Sequence, residues 1–266
     1  MNSKHFYASV LAAHSSSMLD GFRQREVRFY MDLFSNWVFV KINSEPFPLH
    51  NTQIMRSLQN MVRLGLARKM GRKNPPRYKL TRAGLIQMLN DLVSLPLNDS
   101  YSEFFFVYQF IVNYKSRIID LLNQDSKHFT KSNYLDVEFL MDEKKYLHRQ
   151  VELVNHEIRH LKERITDSER SIALFYEMKS NKIDSAKIFK TIETKYPYEL
   201  NNQKRLSQLL QEIPEPLRER EITEANQNRV NLFWKPKLQH LESFGQILKT
   251  IEHTKTAEKK AKKIDF

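Results

Sequence analysis

Between Glu45 and Asp91 the chain has no acidic residue. Those 45 positions carry nine Lys or Arg: Arg56, Arg63, Arg68, Lys69, Arg72, Lys73, Arg77, Lys79 and Arg82. The formal net charge of the protein is +12, so a sixth of its length holds +9 of it. Basic charge spread evenly speaks only of solubility. Concentrated on one folded module it predicts a polyanionic partner, with DNA the first candidate.

Other absences narrow the class. There is no Cys, which removes disulfides and thiolate sites and fits a reducing cytoplasm. Glycine is absent from Leu85 to Phe244 and proline from Leu97 to Tyr196. A stretch lacking both breakers should be mostly helix, and it offers no glycine-rich phosphate loop. The longest dense apolar run, Phe104–Val112, is nine residues and too short to span a bilayer. The run Phe6–Ala13 is short, has no Leu-rich centre and is followed by no cleavage pattern, so no export signal is expected. The expected protein is cytoplasmic and does not engage a membrane.

A hydrophobic fraction of 41% with 17 Phe and 11 Tyr is enough for a real core, and 266 residues suffice for one large domain or two small ones. Residues 22–38 have helical spacing, with Val27, Tyr30, Met31, Phe34, Trp37 and Val38 on one face. Lys41–Pro48 reads as a connection or short strand. A helix over Thr52–Leu64 follows, with Asn51 as N-cap and Gly65 as its stop. Its apolar face is Ile54, Met55, Leu58, Met61 and Val62. The opposite face, Thr52, Gln53, Arg56, Gln59, Asn60 and Arg63, holds only hydrogen-bonding or cationic side chains. Arg grips guanine edges in a bidentate way, and Asn and Gln do the same for adenine. A strand over Leu66–Met70, a tight basic turn and a second strand over Arg77–Thr81 lead into a helix over Arg82–Val93.

The order helix, Gly-Leu, strand, basic tip, Arg77-Tyr78-Lys79-Leu80-Thr81-Arg82-Ala83-Gly84, helix resembles the winged-helix module of PadR- and MarR-type bacterial regulators. The likeness is best over Ile54–Leu92. Leu64-Gly65-Leu66 matches the end of that family's recognition helix, and Tyr78-x-Leu80-Thr81-x-x-Gly84 matches the segment after the wing. The resemblance implies that helix 52–64 enters the major groove, with Thr52, Gln53, Arg56, Asn60 and Arg63 at the base edges. It implies that Arg72 and Lys73 in the wing touch phosphate or the minor groove. Arg68, Lys69 and Arg77 flank the tip and join the DNA-binding set. Upstream, Lys41–His50 is a poor candidate for the short helix that normally precedes the recognition helix. Either Phe22–Val38 takes that place, with residues 4–18 as the first helix, or the module is modified.

The second half reads differently. Ser100-x-x-Glu103 is a capping-box pattern before an aromatic-rich helix to about Leu122, whose Phe104, Phe105, Tyr108 and Tyr114 are expected in a core. From Leu147 a heptad register runs through Val151, Val154, Ile158, Leu161, Ile165, Ser168, Ile172 and Phe175. This is a coiled-coil seam over 147–175. With Val151 at position a, Glu157 would meet Lys162 of a parallel partner and Arg164 would meet Glu169. Both pairs are opposite in sign and favour a parallel homodimer through Val151, Val154, Ile158, Leu161, Ile165 and Ile172. The alternative is antiparallel packing on another helix of the same chain. Residues 180–266 read as shorter helices separated by Tyr196-Pro197, Pro214–Pro216 and Pro236, with a basic tail over Thr254–Lys263.

His156-Glu157-Ile158-Arg159-His160 matches H-E-x-x-H, which on a helix could hold zinc. The heptad places His156 at f and His160 at c, facing water, and a catalytic zinc needs a third ligand in a dry cavity. A zinc peptidase is therefore set aside, and neither metal nor cofactor is expected. The resulting expectation is a mostly α protein in two parts. Residues 1–96 form a winged helix with a small β-hairpin wing, and 97–266 form a long helical region containing the coiled coil. Its expected role is that of a non-enzymatic, dimeric transcriptional regulator of double-stranded DNA, associated with the nucleoid and open to a protein partner on its helical region. The rival is a kleisin-like, chromosome-organising subunit that uses the winged helix for dimerisation or protein contact.

Overall fold

The computed structural model describes residues 3–35, 50–71, 75–94, 101–196 and 214–264. The expectations resting on Trp37, Val38, the 41–48 connection, Ser100 and the wing-tip pair Arg72 and Lys73 lie outside them. The described chain is mostly helical with one small antiparallel sheet, and it divides into two compact units, Met1–Gln150 and Val151–Phe266.

In the first unit, α1 (Ser3–Ser17) packs against α2 (Gln24–Ser35), α4 (Arg82–Val93) and α5 (Tyr101–Gln124). Phe6, Val10, Leu11, Val27, Met31 and Phe34 are buried there. Between α1 and α2, Phe22 is extended and forms an antiparallel bridge to Tyr78: its N–H donates to the Tyr78 carbonyl at 2.9 Å, and the return bond is 2.7 Å. Next comes α3 (Asn51–Arg63), which packs on α2. β1 (Ala67–Met70) and β2 (Arg77–Leu80) then pair in the register Ala67 to Leu80 and Met70 to Arg77. α1 and α2 are the described helices that precede α3.

The turn out of α3 explains its sequence. Gly65 sits at φ +69°, where a side chain would be strained. The Gly65 N–H donates to the Val62 carbonyl at 3.1 Å and the Leu66 N–H to the Met61 carbonyl at 2.9 Å, closing the helix with a Schellman motif. Thr81 then ties the return strand to this turn: its N–H donates to the Leu66 carbonyl at 3.0 Å and its hydroxyl to the Gly65 carbonyl at 2.7 Å. The same hydroxyl accepts from the Gly84 N–H at 3.1 Å as the N-cap of α4. A Cβ on Gly84 would lie 1.9 Å from the Leu66 carbonyl oxygen, so only glycine fits. At its other end, α3 is capped by His50 rather than Asn51. His50 Nδ1 accepts from the Thr52 N–H, and Gln53 Oε1 accepts from the His50 N–H at 2.9 Å.

The first unit does not end at residue 96. The α5 aromatics close onto α1 and α2: Phe34 meets the edges of Phe106, Phe110 and Tyr114, and His5 stacks on Phe106. Phe104, Tyr108 and Tyr114 are buried, as core aromatics should be. α6 (Lys131–Leu140) packs on α4 and α5, and α7 (Glu143–Ser180) begins here, with Tyr146 stacked on Phe104, before it continues into the second unit.

In the second unit, α7 turns into α8 (Ser185–Lys195) over a cluster of Phe175, Met178, Ile188 and Ile192. A helical run then includes α9 (Glu215–Arg220), α10 (Asn226–Arg229) and α11 (Lys235–Ile264), joined by two π-helical turns at 221–225 and 230–234. Pro236 does not divide this region. The helical backbone continues through it, directly after the π-helical turn at 230–234.

The seam is covered within the single chain, as the antiparallel alternative has it. Val151, Val154, Leu161, Ile165 and Ile172 are already buried within the single chain, and Ile158 is half-buried. α11 runs antiparallel along α7: Lys235 pairs with Glu169 at 2.7 Å, Glu242 with Lys162 at 2.7 Å, and a Cβ on Gly245 would touch Val154 and Ile158 at ordinary distance. Every charge assigned to a second copy is engaged inside the chain. Glu157 binds Lys237, and Arg164 lies 5.0 Å from the Trp234 ring. These half-exposed ion pairs fix register more than they add stability.

Two outcomes follow. Gly84→Ala should destabilise by about 3 kcal/mol, at the upper end of overpacking costs because the obstacle is backbone, while Gly245→Ala should be neutral or stabilise by up to about 1 kcal/mol; urea unfolding of both variants compares them. Leu161→Asp should cost several kcal/mol as a buried unpaired charge. The shift in unfolding midpoint should be the same at all protein concentrations, whereas a seam between two copies would make it concentration-dependent.

Candidate nucleic-acid interface

α3 presents three sectors. Ile54, Leu58 and Met61 point into the core. Thr52, Arg56, Asn60 and Arg63, spaced at i, i+4, i+8 and i+11, are exposed on the outward face. Arg63 donates to the Asn60 side-chain oxygen at 2.8 Å, which orients both. The third sector is the flank carrying Asn51, Met55, Gln59 and Val62, which lines a groove of about 620 Å³. This helix and the hairpin it leads into contain no carboxylate.

The predicted set is divided by this geometry. Thr52, Arg56, Asn60 and Arg63 come together. Gln53 is exposed at the start of the helix, where its side-chain oxygen accepts from the His50 N–H as that of Asn60 accepts from Arg63. Arg68 and Lys69 are both exposed, yet as strand neighbours they face opposite sides of the hairpin. Lys69 lines the groove beside α3. Arg77 is partly neutralised: it donates to the Asp20 carbonyl at 3.1 Å and lies 3.6 Å from the Asp20 carboxylate. Two other cations of the acid-free run also serve the fold. Arg82 donates to the His128 carbonyl, and Lys79 is buried against Asp125 at 3.2 Å.

Sequence reasoning missed the start of α2. Arg23, Arg25 and Arg28 line the same groove as Lys69. Their signal was three Arg within six residues, masked by Glu26 in their midst. Arg28 forms a two-pronged pair with Asp32, and Arg25 lies 3.8 Å from Glu26. The H-E-x-x-H pair is elsewhere: His156 and His160 are both exposed on α7, and among the described residues no three His, Cys, Asp or Glu could hold a metal.

Beneath β2 lies a buried polar cluster. Burial raises the Asp125 carboxyl, but hydrogen bonds from His128 and Lys79 and their charges outweigh that and hold it below its usual value. His14 is buried nearby, and among the described residues neither ring nitrogen has a hydrogen-bond partner. Burial, then the charge of Lys79, lowers its pKa to about 3. Burial likewise lowers His5 to about 4.

No protein-family model matches the chain, and neither the curated proteins nor the solved structures yield a match. Among the described residues no helix is long and apolar enough to cross a membrane.

The cluster sets a pH dependence. In the unfolded chain His14 takes up a proton near pH 6.5, whereas in the folded chain it does so only near 3. Between those values the unfolded state binds more protons, so stability falls as pH falls, by about 1.4 kcal/mol per unit for one such histidine. His14→Leu should flatten the stability profile between pH 6 and pH 4 by about that slope, whatever its effect at neutral pH; urea midpoints across the range measure it.

Proposed function

We propose that the first unit is a winged-helix module that binds double-stranded DNA and that the protein acts as a transcriptional regulator. The observation that carries this reading is the outward face of α3, where Thr52, Arg56, Asn60 and Arg63 stand exposed without a carboxylate. Supporting it is the chain order α1, extended Phe22, α2, α3, β1, β2, with Phe22 joined to β2 as a third extended segment. The stretch α3, β1, β2, α4 is the part of that order that the PadR- and MarR-like resemblance covers. Phosphate contacts from the cations position the module, and Arg56 and Asn60 read base edges. The seam of α7 has no part in this proposal, since α11 covers it.

A second reading, a chromosome-organising subunit, draws on Leu135 and Phe139. These are exposed one turn apart on α6 and available to a protein. Crosslinking the protein to the genome of its host separates the two: sharp peaks at promoters favour a regulator, and broad coverage favours an organiser.

If four to six phosphates are neutralised, the logarithm of affinity for duplex DNA should fall against log salt with a slope of roughly −4 to −5. Arg56→Ala and Asn60→Ala should each cost on the order of 1–3 kcal/mol on a site selected from a random pool, and far less on random DNA. Fluorescence anisotropy titrations measure both. Affinity that ignores salt, or equal losses on both DNAs, would remove α3 as a reading head.

A further inference from the structure

The groove beside α3 is chemically unlike the outward face. Arg23, Arg25, Arg28 and Lys69 line it, and no carboxylate does. Two of the four are engaged, Arg28 with Asp32 and Arg25 near Glu26. Arg23 Nε is buried and has no hydrogen-bond partner among the described residues. That atom is shielded from the groove, but the Arg23 side chain as a whole is only half-buried and lines it as a cation, for which an anionic oxygen is the best partner. Lys69, on the exposed side of β1, supplies a second cation to the same space. The remaining lining is apolar in part: Met55 and Val62 on α3 with Pro75 and Pro76 at the hairpin. A bare inorganic anion would leave those surfaces idle. A phosphate ester with a sugar attached would use both kinds of wall.

We propose that this groove seats the phosphodiester backbone of one nucleic-acid strand, with Arg23 and Lys69 on phosphate oxygens and Met55 and Val62 against the sugar. The proposal rests on the DNA-binding reading of α3 and adds to it a strand track on the helix's other flank. With α3 reading base edges on one side and holding a backbone on the other, the duplex is fixed in rotation as well as depth. A free nucleotide offers the same chemistry from another source, so the test includes it.

The experiment measures affinity for duplex DNA across a salt series for wild type, Lys69→Gln, and Arg23→Gln with Lys69→Gln. Lys69 is an exposed strand side chain, so its single variant should fold even if loss of Arg23 disturbs α2. At about 0.9 of slope per phosphate contact, the slope should become shallower by about 0.9 in the single variant and about 1.8 in the double. Lys187→Gln with Lys190→Gln, exposed on α8, should leave it unchanged. An unchanged slope in Lys69→Gln, with binding intact, would overturn the groove while leaving α3 standing. An equal loss in the α8 variant would overturn it as a mere effect of net charge. Wild type without salt-dependent binding would instead defeat the DNA reading itself. Calorimetry with AMP forms the last arm: saturable binding lost in the double variant, with DNA slopes unchanged, would reassign the groove to a free nucleotide.

Discussion

The first unit is organised around the Leu66 carbonyl. It accepts the Thr81 N–H, and Gly84 allows α4 to begin directly against it. One oxygen therefore joins the end of α3, the start of the hairpin and the first turn of α4. The pairing register of β1 and β2 follows from it, because Ala67 and Leu80 are the residues next to the clamp. The exposure of Arg56 and Arg63 follows as well: once the C-terminus of α3 is held, its rotation is set by Ile54, Leu58 and Met61 in the core. Thr81 and Gly84 are thus a hydrogen-bonding and steric requirement. A side chain at Gly84 would push α4 off the turn and release the hairpin with it.

Charge in this unit is sorted by solvation. The acid-free run reads as one block of nine cations, yet its members have different tasks. Lys79 is buried and is tolerated because Asp125 accepts from it and is held ionised by His128 and by Lys79 itself. A buried pair of this kind adds little net stability, but it would be costly to break. It anchors β2 to the end of α5. Arg82 reinforces the same junction through the His128 carbonyl. Arg56, Arg63, Arg68 and Lys69 remain exposed. The exposed, unneutralised charge of the run is therefore smaller than its nine cations suggest, and of the three nearby arginines outside it Arg25 and Arg28 are themselves paired with Glu26 and Asp32.

What was legible in the sequence was local. The helix over Arg82–Val93, both strands and the Gly65 stop are set by neighbours within a few residues, and the structure has them where the pattern puts them. The His50 cap is a near miss of one position, since a histidine nitrogen served where Asn51 carried the stronger propensity. The end of the first unit was not legible. The aromatics of α5 announce a core but not which helices supply its other wall. The groove was invisible for the same reason: Arg23 and Lys69 are 46 positions apart and meet only through the fold.

The seam in α7 shows where periodicity runs out. A heptad specifies that a partner helix lies along one stripe, and the residues buried there are the ones it named. It does not specify whose helix. The pairs that favoured a parallel copy, Glu157 with Lys162 and Arg164 with Glu169, are satisfied equally by Lys237, Glu242 and Lys235 of α11 and by Trp234 just before it. Alternating charge is complementary to many sequences, so it discriminates poorly on its own. Tethering then decides, because a helix in the same chain is present at an effective concentration that a second copy reaches only when concentrated. α11 carries its apolar residues Leu241, Phe244 and Leu248 at three- and four-residue spacing, the same stripe period as α7. That stripe is legible in the sequence too. Setting it against the α7 seam in antiparallel order, with Lys235 opposite Glu169 and Glu242 opposite Lys162, selects the partner that the heptad alone leaves open.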